Sequence, residues 1–399
     1  MNGRRLRLIA AGATAVALAA TGCSSTSSNA GNPPYTVAFV IALTGSSSPG
    51  NAAAVAAAKA RVAEQNAIAG VNGHKVNLLV EDDASTPDGA LAAVQRADSH
   101  GALAVFAGDS TFEGPAEEYA DAHNLPIIGG AADKLTVSDK DLFSVIGSSG
   151  PTIPGNNSVG KFFQSVGVSN VAGITWGLCQ FCVGLLEGPL NEAKALGVRT
   201  AITDLSPTPA TADYTPDALK VKQSGADGVF AALGIASDVA LARAIRQQNV
   251  PVKAQLYLAS AYESVALSPT NATALNGTYI EDWFAPAELK STATERYVAT
   301  LQKYAPGTFG GLIETTAYVY ADLAIAGMKK VHGAMSSAAL AQGIRRITNY
   351  TGAGLLPAPL NYSLPKTAAA NLQTCFWFTR IEDRRFVPLE SKPLCGTPS

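Results

Sequence analysis

The sequence predicts an α/β protein of two lobes, each a parallel sheet flanked by helices, and three observations carry that expectation. From Thr36 onward, short β-branched or apolar runs alternate with amphipathic stretches. The alternation restarts after a Gly/Pro/Ser/Asn-rich stretch, Gly147–Ser158, and the 399 residues suffice for two domains of ordinary size. Regular alternation of strand and helix implies crossover connections, hence parallel strands buried on both faces.

In the first half, Thr36–Leu43, Val76–Glu81, Leu103–Ala107 and Pro126–Gly129 read as buried strands. Between them, Ala52–Ile68 carries Val55, Ala58 and Val62 at helical spacing with Lys59, Arg61 and Glu64 elsewhere, and Pro87–Ser99 repeats the pattern through Leu91, Val94 and Ala97. In the second half, Val171–Thr175, Arg199–Ile202, Gly228–Ala232 and Gln255–Ala259 are strands, with helices near Gly184–Ala195, Thr215–Ser224 and Asp238–Gln248. A strand at Gly277–Glu281 precedes three amphipathic helices, Ser291–Tyr304, Leu312–Lys330 and Ser337–Thr348. Short strands after Pro359, including Cys375–Arg380, close the chain. Periodicity alone does not decide whether this last third stays with the second lobe or returns to the first.

Residues 1–23 read as an export leader: Arg4, Arg5 and Arg7, then an apolar core from Leu8 to Ala20 that is short for a membrane span. Thr21-Gly22-Cys23 resembles the lipobox of bacterial lipoproteins, with Ala20 where that motif usually carries a larger aliphatic residue. The resemblance implies lipid on Cys23, followed by a Ser-rich tether over residues 24–34. An ordinary secretory signal is the alternative, and the paired arginines weakly suggest twin-arginine export. Downstream, Lys59, Arg61 and Glu64 interrupt the alanine-rich Ala52–Ala60 stretch, so lipid is the expected anchor.

The formal net charge of -2, with no Lys/Arg block beyond the leader, gives nucleic acid no electrostatic footprint. Cys179, Cys182, Cys375 and Cys395 remain after Cys23, an even number in an oxidising compartment. Three pairings are possible, and proximity favours Cys179–Cys182 and Cys375–Cys395. The second would close a loop worth roughly 3 kcal/mol of chain entropy. Cys-x-x-Cys is otherwise a redox pair, which needs a thioredoxin-like βαβ start, or half a zinc site, which needs two more ligands. His74, His100, His123 and His332 are scattered singly, and no metal or cofactor is expected.

The chain from Val37 resembles the leucine/isoleucine/valine-type solute-binding proteins of ABC transporters. The residues that carry the likeness are Leu43-Thr44-Gly45, Ile68 to Val76 (IAGVNGHKV), Glu81-Asp82-Asp83 before Pro87, Gly108-Asp109-Ser110-Thr111, Pro115–Ala122, Leu125 to Ile128, and Gly129 to Asp133 (GGAAD). The resemblance implies a type I periplasmic-binding-protein fold with three interlobe crossings. It places 35–147 and 285–354 in lobe 1, and 148–284 and 355–399 in lobe 2. A ligand would lie between them, where strand ends and helix N-termini converge.

Carried over residue by residue, the resemblance puts ligand contacts at Ser110 and Thr111 and at the turn Ala131-Ala132-Asp133. Ser110 alternatively caps the Pro115 helix. Asp133 stands where the family carries a threonine facing the ligand carboxylate, so either it points away or the ligand lacks that group. In lobe 2 the aromatic cover falls on Phe181, which is otherwise plain packing, and the next wall position on Ile235. The family's acid for an amino acid's ammonium falls on Ala261. Glu263, two residues on, substitutes for it, or the register is shifted; Tyr262 and Trp176 are further aromatic contacts. With one charge partner reversed and the other missing, a simple branched-chain amino acid in the usual pose is not expected, since an unpaired buried charge costs several kcal/mol. A less polar, neutral or cationic molecule fits, such as an amide or aromatic compound.

The expected partners are a small-molecule ligand and a membrane permease, the chain itself being a monomer on the outer face of the cell membrane. An enzyme is not expected: no G-x-S-x-G elbow or His-Glu-x-x-His pair is present, and Gly352-x-Gly354 does not open a dinucleotide site. Asp82 and Asp83 read as loop-fixing and helix-capping residues rather than a catalytic pair. An exported hydrolase is the remote alternative, and a ligand sensor that signals to a membrane partner the nearer one.

Overall fold

The computed structural model describes residues 32–108, 112, 114–129, 141–146, 156–366 and 368–397. Cys23, Ser110, Thr111, Ala131, Ala132 and Asp133 lie outside the described residues.

The first unit runs β1 (Asn32–Ile41), α1 (Asn51–Ala67), β2 (His74–Asp82), α2 (Pro87–Ser99), β3 (Val105–Ala107), α3 (Pro115–Ala122), β4 (Ile127–Gly129) and β5 (Leu142–Ser144). Its strands form one parallel sheet in the order β2-β1-β3-β4-β5. Successive side chains of β1 go to opposite faces, Val37, Phe39 and Ile41 to the core under α1, Ala38 and Val40 to the core under α2 and α3. Both faces are covered, which is why β1 reads as a continuous apolar run.

The chain then enters the second unit through α4 (Ser158–Ser165), β6 (Asn170–Thr175), α5 (Gln180–Ala193), β7 (Arg199–Asp204), α6 (Thr215–Ser224), β8 (Gly228–Ala232), α7 (Ile235–Gln247), β9 (Ala254–Leu258), α8 (Pro269–Leu275) and β10 (Tyr279–Asp282). It leaves again as α9 (Thr292–Tyr304), α10 (Leu312–Met328) and α11 (Ser337–Arg345); α9 and α10 pack on α1 and α11 packs on α10. It returns once more as β11 (Cys375–Glu382), β12 (Arg385–Pro388) and β13 (Leu394–Cys395). Strands β6 to β10 are parallel, while β11 lies antiparallel to β10 and carries β12 and β13 antiparallel to itself. The helix-rich section therefore crosses back to the first sheet, the choice that periodicity left open.

The join between α1 and α10 contains a charge. Arg61, 3% exposed, donates from Nε to Asp322 at 2.8 Å, Asp322 also accepts from the Tyr350 hydroxyl at 3.2 Å, and Glu64 lies 3.3 Å from Arg61. Two disulfides are closed, Cys179–Cys182 and Cys375–Cys395, the pairing that proximity favoured. Among the described residues no helix is long and apolar enough to cross a membrane.

Several expectations are corrected. β1 begins at Asn32, so the last three residues of the expected tether are strand. The register shifts between Asn32 and Tyr35, which places the two prolines, lacking N–H donors, at the irregularity. Helix α4 starts at Ser158, the last residue of the expected linker, with Val159, Phe162 and Phe163 at i, i+3 and i+4 in the core. α5 opens at Gln180 rather than Gly184 because Cys179 caps it, and α7 opens at Ile235 rather than Asp238. The N-cap of α3 is Gly114, not Ser110.

Replacing Asp322 with Ala strands the Arg61 guanidinium without its closest acid. Urea unfolding should show a loss of about 3–5 kcal/mol, the usual cost of breaking one side of a buried pair.

Candidate ligand-binding site

The candidate walls of a site are the carboxyl ends of the parallel strands. On the first unit, the Leu43-Thr44 loop after β1 is held by Asp82. Its carboxylate accepts from the Leu43, Thr44 and Ala84 amides at 2.8, 3.2 and 2.9 Å and from the Thr44 hydroxyl at 2.7 Å. Its slight burial works the other way, but these donors bring its carboxyl down to about 2. Asp83 accepts from the Ser85 amide at 2.7 Å, and Thr86 caps α2 through Gly89. The two acids thus fix a loop, while the capping falls to Thr86. Gly108 lies against the Val40 carbonyl and Ile41, too close for any side chain.

On the second unit, the ends of β6 and β8 meet. The Trp176 indole covers Gly234 so closely that a methyl there would sit 3.3 Å from the ring. Ile235 opens α7 beside it, and both side chains are half-buried against the same core. The turn Trp176-Gly177-Leu178-Cys179 is closed by the Cys179 amide donating to the Trp176 carbonyl at 3.0 Å, and Gly177 donates to the Leu205 carbonyl at 3.2 Å. Leu178 is 89% exposed at its tip. Phe181 is half-buried in the first turn of α5 and stands outside the cores that take in Trp176 and Ile235.

The segment after β9 does something different from what the register implied. Ala261 is wholly buried. Tyr262 is 7% exposed, its hydroxyl donating to Glu288 at 2.6 Å and accepting from the Ala287 amide at 3.1 Å, its ring 4.5 Å from Phe386. Glu263 turns to the N-terminus of α10, where its carboxyl lies against Gly311 so closely that a methyl group there would overlap it, and the Leu312 amide donates to it. Burial, with Glu314 nearby, pushes Glu263 up to about 8. Glu314 is likewise raised by burial.

Just behind this joint, Tyr262, Asp282, Trp283, Tyr297 and Thr315 enclose a hollow of about 20 Å³, room for roughly one water molecule. The Tyr297 hydroxyl and Thr315 are 2.9 Å apart. One oxygen of buried Asp282 has no hydrogen-bond partner. Burial pushes the adjacent Glu281 up to about 8, the Trp283 indole working the other way.

The structure therefore brings Phe181, Ile235 and Trp176 to neighbouring strand ends and draws Ala261 and Tyr262 into packing. Gly311, Glu314 and Trp283 are additions that strand and helix periodicity did not single out. The Gly310-Gly311 pair before an apolar helix with an acid in its first turn is the signal that marks an approachable helix N-terminus. No group of three or more His, Cys, Asp or Glu is gathered for a metal ion among the described residues.

Comparison with known proteins matches the family and the fold. A family model described as periplasmic binding protein matches residues 34–385. No curated protein matches the sequence. Among solved structures, a fatty acid ABC transporter substrate-binding protein from Thermomonospora curvata superposes with a TM-score of 0.75 at 17% identity, covering 92% of this chain and 93% of its own. A leucine-, isoleucine-, valine-, threonine- and alanine-binding protein from Brucella ovis in its closed conformation gives 0.74 at 17% identity, covering 90% and 94%. A solute-binding protein of an ABC transporter from R. palustris in complex with benzoate gives 0.71 at 15% identity, covering 92% and 98%. These structures share the fold of this chain.

Glu263 and Glu281, both pushed up to about 8, make stability depend on pH. The unfolded chain releases their protons near 4.5, whereas the folded protein holds them to about 8, so it binds more protons across that window and loses stability as pH rises through it. Urea unfolding between pH 5 and 9 should show this fall, and Glu263→Gln or Glu281→Gln should each flatten it.

Proposed function

The chain belongs to the periplasmic binding protein family, and on that premise we propose that it is the extracytoplasmic solute-binding protein of an ABC importer, taking a neutral small molecule between its lobes. The lobes are 35–147 with 285–354, and 148–284 with 355–399. Lipid on Cys23 holds the protein at the outer face of the membrane, and the permease receives the ligand. Tethering raises the effective concentration of the loaded protein near its membrane partner.

One observation carries the choice of ligand: the segment where an acid would meet an ammonium group has no acid to spare. Ala261 is buried, and Glu263 is committed to the N-terminus of α10 and holds its proton to about pH 8. A cationic or zwitterionic ligand would meet no compensating charge there, a cost of several kcal/mol. Asp133, at the position where the family resemblance has a threonine facing the ligand carboxylate, argues against a carboxylate ligand. The wall that remains is Trp176, Phe181 and Ile235, which suits an apolar or aromatic body with a neutral polar end, such as an aromatic amide. Fold relatives named for a fatty acid and solved with benzoate support a cleft of this architecture that accepts apolar bodies.

A thermal-shift panel of neutral amides, aromatic compounds, fatty acids and branched-chain amino acids tests this. Neutral aromatic amides should raise Tm, since a ligand at a hundredfold excess over Kd adds about 2.7 kcal/mol; leucine should not. Tight leucine binding in a calorimeter overturns the reading. Phe181→Ala should weaken the best hit about tenfold, the worth of roughly one aromatic contact, with little change in the Tm of the free protein. Cys23→Ser should move the protein from the membrane fraction to the soluble one.

A further inference from the structure

The two disulfides are built differently. Cys375 and Cys395 face one another across the antiparallel pair β11 and β13, joining strands within a sheet. Cys179 and Cys182 lie at the junction of a βαβ unit, β6–α5–β7, at the N-terminus of a 14-residue helix. This is the βαβ start that a redox Cys-x-x-Cys requires.

Cys179 is the N-cap of α5, and its sulfur accepts from the Cys182 amide at 3.1 Å. A thiolate released there keeps that donor and lies at the positive end of the helix. Both cysteines are half-buried, with exposed Leu178 and Gln180 beside them, so the bridge sits at the rim of the site within reach of solvent. At the other bridge, Cys395 is exposed but Cys375 is 6% exposed. Attack on Cys395 therefore leaves the negative charge on a buried sulfur, which burial disfavours.

We propose that Cys179 and Cys182 are a reducible couple, opened by an external thiol while Cys375–Cys395 stays closed, and that opening it loosens the Trp176–Phe181 wall. An external thiolate attacks Cys182 Sγ; a mixed disulfide forms there, the Sγ–Sγ bond breaks, and its electron pair leaves on Cys179, held by the Cys182 N–H. A second thiolate attacks the reagent sulfur and expels the Cys182 thiolate, which takes a proton from water. Two external thiolates leave as one disulfide, and the protein has gained two electrons. The reductant is any small thiol or extracytoplasmic dithiol. The bridge reaches the wall through the turn in which the Cys179 amide donates to the Trp176 carbonyl.

The redox step stands on the geometry alone; its effect on ligand rests on the solute-binding reading. The full folded protein is titrated with dithiothreitol at pH 7, quenched with iodoacetamide and mapped by mass spectrometry. Cys179 and Cys182 should become alkylated at a reductant concentration at least tenfold below that needed for Cys375 and Cys395, with the far-UV spectrum unchanged. Simultaneous opening, or resistance of Cys179–Cys182 until the protein unfolds, overturns the couple. In Cys182→Ser the remaining Cys179 thiol should titrate below the ordinary value of about 8.5. In Cys179→Ser the Cys182 thiol serves as the reference, and equal titration of the two overturns the assigned leaving group. Affinity for the best hit of the thermal-shift panel should fall at least threefold on selective reduction, and an unchanged affinity overturns the link to the wall. If no compound binds, the solute-binding reading fails while the alkylation pattern still decides the redox couple.

Discussion

A carboxyl seated on a helix end joins the two units. Glu263 leaves the strand end of the second sheet and lies on the N-terminus of α10, a helix otherwise wrapped by the core of the first unit. The contact is possible only because Gly311 has no side chain. It commits Glu263 to the contact between the units, and burial with Glu314 close by holds its proton up to about pH 8. The geometry of the joint and the polarity of the adjacent wall thus have one cause.

The same reasoning separates what was legible in the residues from what was not. Long buried strands such as β1 and β8, and helices with punctuated ends such as α2 with Thr86 and Pro87, were legible because the signal is local and repeated. β5, α4 and α8 are short, and a three-residue strand or a two-turn helix offers too few periods to rise above its neighbours. Periodicity is silent about which sheet a helix covers, so the packing of α9 and α10 on α1 is not readable from it.

The site was legible only in part. Phe181, Ile235 and Trp176 follow strand ends, and strand ends are readable. The fates of Tyr262 and Glu263 are decided by Glu288 and by Gly311 to Glu314, tens of residues away. Nothing in the local pattern of Ala-Tyr-Glu says that the hydroxyl and the carboxyl are already engaged. A motif carried across a family specifies positions, whereas the chemistry left over for a ligand depends on who else claims each polar atom.

The proline-bearing start of β1 has a mechanical meaning. Asn32 lies at the amino end of a parallel strand, the pole opposite to the strand ends that form the site. If the chain hangs from Cys23, residues 24–31 allow at most about 28 Å of slack, and β1 adds about 33 Å of rigid length before the binding face is reached. The protein would then swing like a lamp on a short cord, its open side turned outward toward incoming solute at rest. With that anchoring, presenting this side to a membrane partner would require the whole body to tip over.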